Sequence, residues 1–160
     1  MNIRSVVVAS LLAAGLTMRA SFATSSEVPY PEGFRRWAHI KSSLSAPKSD
    51  ADQRAGIHHI YANELALRGY ETGHFPEGSV IVFDLLAVST ANGTTKETER
   101  KLVDVMHKDS TRFGQTGGWG YEEFRGDTRV RVVRDRAPID CFQCHTQRKD
   151  HDYVFSGLRP

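Results

Sequence analysis

This sequence has few cysteines, a small net charge and no long apolar run. Cys141 and Cys144 are the only cysteines among 160 residues, and no second pair of ligands stands at the spacing that a zinc site requires. The formal net charge is only +2. Loss of residues 1–23 would remove Arg4 and Arg19 and no acidic residue, which leaves the remaining chain formally neutral. Because no basic patch stands out, we set aside a nucleic-acid-binding role.

Residues 1–23 have the pattern of a secretory signal peptide. Arg4 provides the positive start, residues 6–16 form an apolar core, and residues 21–23 form a small-x-small cleavage site. The apolar run is too short to span a bilayer. We therefore expect export to the periplasm through a cleaved signal peptide, and a single globular domain over residues 24–160.

The segment Cys141-Phe142-Gln143-Cys144-His145 has the C-x-x-C-H pattern of c-type haem attachment. Each thiol can form a thioether with one vinyl group of the haem, and His145 can supply the proximal imidazole ligand to the iron. A disulfide, a thioredoxin-like redox pair and half of a zinc site are the alternatives. A thioredoxin-like pair belongs near the start of a βαβ unit, whereas this motif lies near the C-terminus. We predict one covalent haem c per chain.

The remaining pattern predicts a mainly β (α+β) protein, in which an antiparallel β-sheet carries a few short helices and the c-type haem lies near the C-terminus. Asn63 and Gly73 should begin and end a helix at 64–70, and the haem motif should lie on a short helix after Pro138. The run at 79–88 is apolar nearly throughout and therefore central. The predicted strands are 57–62, 79–88, 101–107, 117–124 and 128–134, residues 34–41 are a short helix or strand with Trp37 buried, and the surface loops are 42–56 and 89–99.

The order and spacing of several segments resemble the cytochrome P-460 family. The resemblance implies a mainly antiparallel β fold, a homodimer, and a five-coordinate c-type haem with an open distal face. The segments that carry it are the element around Trp37, Phe75-Pro76-Glu77-Gly78-Ser79-Val80-Ile81-Val82, Lys108-Asp109-Ser110-Thr111-Arg112-Phe113, Gly117-Gly118-Trp119-Gly120-Tyr121, the C-x-x-C-H motif, and Asp152-Tyr153-Val154-Phe155.

One residue on the central strand divides this family. The cytochrome P-460 enzymes, which oxidise hydroxylamine, carry there a lysine that is cross-linked to the porphyrin. Their relatives, the cytochromes c′-β, lack the cross-link and bind nitric oxide and carbon monoxide. The matching residue here is Phe83, so the resemblance implies the gas-binding branch, with Phe83 over the distal iron face. Without the resemblance, Phe83 is interpreted as a core residue of a buried strand.

Other distal candidates are polar. His58 and His59 lie on the strand where the enzymes place a polar distal group, and alternation allows only one of them to point into the pocket. Asp109 matches a family acid near the haem, although the segment is equally typical of a capped surface turn. The candidates for a sixth ligand in a low-spin cytochrome are His39, His74, His107 and His151, and nothing in the sequence singles one of them out. Met106 is interpreted as a core residue.

We therefore expect an exported c-type haem protein that binds nitric oxide or carbon monoxide, for gas binding, sensing or carriage. The alternative is an oxidoreductase, either of the P-460 kind acting on hydroxylamine or nitric oxide, or a weak peroxidase, and a redox partner cytochrome would exchange electrons with it. Electron transfer is a third class and requires a sixth protein ligand. An apolar distal face favours the binder, because charged ligands lose hydration there, whereas a distal base and a proton path favour the enzyme.

Overall fold

A computed structural model describes residues 28–49, 52–132 and 137–158. The predicted signal peptide and the end of the predicted strand at 128–134 lie outside these residues. Within them, five strands form one antiparallel sheet in the order β1-β2-β3-β4-β5, so each strand pairs with its neighbour in sequence. This architecture confirms the predicted mainly β class.

The elements are short, apart from one long hairpin. The strands are β1 (Ala38–Ser45), β2 (Gly56–Ala62), β3 (Val80–Ala91), β4 (Thr94–Lys108) and β5 (Trp119–Arg125). The helices are α1 (Glu64–Thr72) and α2 (Ala137–His145), with 3₁₀ turns at Phe34–Arg36, Gly114–Thr116 and Thr146–His151. No helix in the described ranges is long and apolar enough to cross a membrane.

Helix α1 has the two predicted caps, Asn63 and Gly73, and extends to Thr72, beyond the predicted end at 70. The Asn63 side chain accepts a hydrogen bond from the Ala66 backbone N–H at 2.9 Å, which satisfies one of the free donors of the first turn. Gly73 ends the helix in the left-handed conformation, with φ of 80°. The Asn63 side chain also accepts from the Val80 backbone N–H at 3.0 Å. The same residue therefore ties the start of α1 to the start of the central strand.

The first half of strand β3 is buried on both faces of the sheet. Its odd-numbered residue Ile81 packs in one cluster with Ile60, Met106 and Tyr121. Its even-numbered residue Val82 belongs to a second cluster on the opposite face, because successive side chains of a strand point to opposite sides. The second cluster is covered by the N-terminal segment and contains Val28, Phe34, Tyr61, Val103, Val105, Phe113 and Phe124.

The prediction of a loop at 89–99 is wrong, since β3 and β4 continue to a two-residue turn at Asn92 and Gly93. These residues have φ of 50° and 75°, as a hairpin turn of the Asn-Gly type requires. The side chains from Ser89 to Glu99 are exposed on both faces, so the alternation that indicates a strand is absent. The Asn-Gly pair was the signal that identifies the hairpin.

Edge predictions were also partly wrong. The loop predicted from residue 42 begins only after Ser45, because β1 continues along the sheet edge and Ser45 pairs with Gly56. In the described part of the strand predicted at 128–134, the sole bridge pairs Arg131 with Phe124. Trp37, predicted to be buried, is half-buried.

Candidate haem site

A cavity of about 350 Å³ lies between α2 and the sheet, within the size range of small-molecule sites. Helix α2 contributes Cys141, Cys144 and His145 to its lining. The sheet contributes mostly apolar side chains, which are Ile60, Ile81, Phe83, Val105, Met106 and Tyr121. The C-terminal segment adds Val154 and Phe155. Residues that are distant in sequence thus converge on the C-x-x-C-H motif.

The helical period explains why the whole motif faces one cavity. Positions i, i+3 and i+4 of a helix lie on the same face, and Cys141, Cys144 and His145 have this spacing. Pro138 lies in the first turn of α2, where its missing N–H costs no hydrogen bond. The short helix therefore presents two thiols and an imidazole to the same space, and its prediction from sequence is confirmed.

His145 is oriented by a backbone carbonyl. Its Nδ1 lies 2.6 Å from the Tyr153 carbonyl oxygen, and a carbonyl can only accept, so Nδ1 carries the proton. This tautomer leaves a lone pair on Nε2, which is the arrangement of most metal-binding histidines. Burial lowers the pKa of His145, against the smaller opposing effect of this hydrogen bond. The rings of Tyr121 and Phe155 flank the imidazole, each with its centroid 5.1 Å away.

These features fit a haem. The donor is a neutral imidazole with a free lone pair, the walls are largely apolar, and the two thiols lie beside the imidazole on the same helix. The Tyr121 hydroxyl is buried and has no hydrogen-bond partner within the described ranges. Burial also raises the pKa of Tyr121, so the hydroxyl keeps its proton and can donate to a bound group.

The structure brings Phe83 and His58 together in the cavity wall. Their rings are stacked, with centroids 4.4 Å apart, and both line the cavity. Burial lowers the pKa of His58, and the positive charges of Lys41 and His59 lower it further. His58 is therefore a neutral polar group beside an apolar ring at neutral pH.

His59 lies on the opposite face of the sheet, as strand alternation requires. Its Nδ1 lies 2.6 Å from the Ser42 hydroxyl and its Nε2 lies 2.7 Å from a Glu97 carboxylate oxygen. The same hydroxyl lies 2.9 Å from His39 Nε2. His59 does not line the cavity, so of the two adjacent histidines only His58 is placed to meet a bound ligand.

Asp109 also lies outside the cavity. Its carboxylate accepts a hydrogen bond from the Arg112 backbone N–H at 3.0 Å, which makes it the cap of a turn. The other histidines named as sixth-ligand candidates, His39, His74, His107 and His151, do not line the cavity either.

Sequence reasoning missed a polar group on the cavity wall. Arg54 donates hydrogen bonds to Asp104 and to Glu123, the latter at 2.6 Å. Burial raises the pKa of Asp104 to about 6, against the opposing attraction of Arg54, and neighbouring Glu123 adds to the rise. Asp104 alternates in phase with buried Met106, so a carboxylate on a core face was a signal for Asp104 itself, although not for its partners.

Lys41 is a further charged residue of the cavity wall that sequence reasoning missed. It lies on β1 opposite Ile60 and lines the cavity. No carboxylate lies within 4.0 Å of its ammonium group in the described part of the chain. A half-buried lysine on the cavity wall can therefore meet an acidic group of a bound molecule.

Comparison with known proteins identifies the family. The family model described as Cytochrome P460 matches residues 31–156, which include the whole cavity lining. A search of curated proteins found no similar sequence. The matched region covers all five strands and the C-x-x-C-H motif. The chain belongs to the cytochrome P460 family, which implies a haem cofactor.

Proposed function

We propose that this protein is an exported c-type haem protein that binds nitric oxide or carbon monoxide at a five-coordinate iron. The observation that carries the proposal is the position of Phe83 in the cavity wall, where its ring packs against His58 at 4.4 Å. A phenyl ring offers no hydrogen bond and excludes water. Small neutral diatomic ligands tolerate such a wall, whereas charged ligands lose their hydration there.

On this proposal, Cys141 and Cys144 hold one haem c per chain through thioether bonds, and His145 Nε2 is the proximal ligand. When bound, the haem supplies the iron that takes the gas, and polarity and access on the distal side decide what binds. The chain itself keeps His145 neutral and oriented through the Tyr153 carbonyl. Phe83 would limit the space available to a bound gas, and His58 would place a ring nitrogen near it, since both rings line the cavity.

A second candidate function is oxidation of hydroxylamine or nitric oxide. The specific observation in its favour is that Arg54 and Asp104 lie on the cavity wall, where Arg54 also binds the Glu123 carboxylate. Oxidation of hydroxylamine releases protons, and a carboxylate with a pKa of about 6 can accept and release them near neutral pH. An electron acceptor, such as a partner cytochrome, would then be required.

The location and assembly are further parts of the proposal. The signal-like residues 1–23 support export to the periplasm. The periplasm is also the compartment in which bacteria attach c-type haem. The family resemblance supports a homodimer.

The optical spectrum of the reduced protein, recorded with and without carbon monoxide, tests the proposal. We expect a five-coordinate high-spin spectrum that changes on gas addition. A six-coordinate spectrum of the gas-free protein would show that a sixth ligand occupies the iron and would favour electron transfer; the side chains on the cavity wall that could supply it are His58, Met106 and Lys41. Steady-state oxidation of hydroxylamine by the same protein would instead favour the second candidate.

A further inference from the structure

We infer that Lys108, Trp119 and Asp152 are positioning residues for the proximal imidazole. They fix the Tyr153 carbonyl, which accepts the Nδ1–H of His145 at 2.6 Å. None of the three lines the cavity, so they would act on the iron only through His145. The inference rests on the proposed role of His145 as proximal ligand.

The carbonyl belongs to a backbone that needs external support. Asp152 and Tyr153 are consecutive non-glycine residues with φ of 49° and 65°. This left-handed conformation is unfavourable for residues that carry a Cβ. Such a conformation persists only where the surroundings over-determine it, and here the surroundings can be named.

Three separate parts of the chain donate hydrogen bonds to the oxygen atoms of Asp152. The Trp119 indole Nε1 donates to the Asp152 carbonyl at 2.9 Å. The Lys108 ammonium donates to Asp152 Oδ1 at 2.7 Å, and the Phe75 backbone N–H donates to Oδ2 at 3.2 Å. Trp119 is fully buried and Lys108 is nearly so, which strengthens these polar contacts. The ammonium group also lies 5.0 Å from the centroid of the Trp119 ring.

Tyr153 is held as well. Its backbone N–H donates to the Arg148 carbonyl at 2.8 Å. Its ring packs on Gly117, where an added Cβ would come within 2.4 Å of the ring. The Gly117 carbonyl in turn accepts from Lys108 at 3.2 Å. The glycine therefore leaves room for the tyrosine ring, and Lys108 links the two segments.

A fixed acceptor has a direct effect on the imidazole. A short hydrogen bond from Nδ1–H to a carbonyl raises the basicity of the ligating nitrogen and fixes the plane of the ring. If the carbonyl is released, the hydrogen bond weakens and the iron–histidine bond weakens with it. Lys108, Trp119 and Asp152 would thus set the strength of the proximal bond from outside the cavity.

The test is the iron–histidine stretching band in the resonance Raman spectrum of the reduced holoprotein. Asp152→Asn keeps the size of the side chain and tolerates the left-handed backbone, while it removes the charge that Lys108 binds. Trp119→Phe removes the indole donor. Asp150→Asn is the matched control, because Asp150 is an exposed acid in the same turn and its ion-pair partner is His151.

We expect the band to shift to lower frequency in Asp152→Asn and in Trp119→Phe, and to stay in place in Asp150→Asn. The reduction potential should become more positive in the same two variants. Asp152→Asn decides the matter by itself if Trp119→Phe does not fold. If the band is lost in His145→Gly but does not move in Asp152→Asn, the positioning inference is wrong, while His145 remains the proximal ligand. Absence of the band from the unaltered protein would overturn the proximal assignment and the inference with it.

Discussion

The imidazole of His58 stacks on the phenyl ring of Phe83, with ring centroids 4.4 Å apart and an angle of 22° between the planes. The two residues come from neighbouring strands, where Phe83 pairs directly with Ile60 and therefore meets His58 on the diagonal. Because one ring is apolar and the other can carry a proton, the same contact can serve a gas binder or an enzyme. Substitution of each ring separates these roles.

Replacement of Phe83 by Ala should speed the association of carbon monoxide and nitric oxide, because it opens the cavity at the wall. Phe83 is only partly buried, so the loss of stability should be smaller than the roughly 3–5 kcal/mol of a fully buried phenylalanine. Flash photolysis of the carbon monoxide complex measures the rate. Phe113→Ala is the matched control, because Phe113 is buried on the opposite face. Equal rates in Phe83→Ala and the unaltered protein would place Phe83 away from the ligand path.

The charge of His58 should affect the affinity for carbon monoxide only below about pH 6.5. Its pKa is lowered from the ordinary 6.5, mainly by burial, so the folded protein favours the neutral ring and resists protonation until the pH falls below 6.5. Carbon monoxide affinity should therefore be constant from pH 7 to 8 and change below 6.5. His58→Gln should abolish that change, whereas His59→Gln on the opposite face should keep it. A change that survives in His58→Gln would have to come from another group, such as Asp104.

Local signals in the sequence predicted much of the fold. The caps Asn63 and Gly73 define α1, the apolar run defines β3, and the C-x-x-C-H spacing predicts which side chains share a helix face. Each of these depends on neighbours within a few residues. The hairpin at Asn92 and Gly93 could have been predicted in the same way, from its turn residues.

The polar part of the site could not be predicted in this way. Arg54 meets Asp104 and Glu123 across 50 and 69 residues, and no local pattern specifies such a pairing. Strand alternation shows that only one of His58 and His59 can face the cavity. Which of the two does so depends on the register of the strand in the folded sheet. Tertiary contacts thus determine the sheet side of the cavity, whereas local spacing determines how Cys141, Cys144 and His145 share one face of α2.

The carboxyl of Asp104 should make the folded protein less stable as the pH rises from 4 to 6. Its pKa is raised from 3.8 to about 6, so the folded state keeps a proton that the unfolded state has already lost, and stability falls through this window. The fall should be at most about 3 kcal/mol. Urea unfolding of the holoprotein at several pH values measures it.

Asp104→Asn should flatten this dependence, because the variant has no proton to lose at this position. Asp109→Asn, which removes a carboxylate outside the cavity, should keep the slope of the unaltered protein. The same slope in Asp104→Asn and the unaltered protein would mean that other carboxylates dominate the window.

Intact mass tests whether the haem is bound through the two cysteines alone. Among the described residues, Lys41 is the only lysine that lines the cavity, while Lys101 donates to the Ala55 carbonyl and Lys108 to Asp152. We expect the mass of the mature polypeptide plus one haem, no free thiol, and a digest in which the haem stays on the peptide of Cys141 and Cys144.

Lys41→Arg keeps the charge and should leave both the mass of the haem adduct and the reduced spectrum unchanged. Any cross-link to the porphyrin should be sought first on Lys41, because Lys101 and Lys108 are engaged elsewhere. A second haem-bearing peptide that contains Lys41, lost in Lys41→Arg, would show a cross-link from β1 instead of from the position of Phe83. That result would favour hydroxylamine oxidation over gas binding, since the cross-link distinguishes the enzymes of the family that the sequence resembles. Haem that extracts into acidified organic solvent would instead disprove covalent attachment.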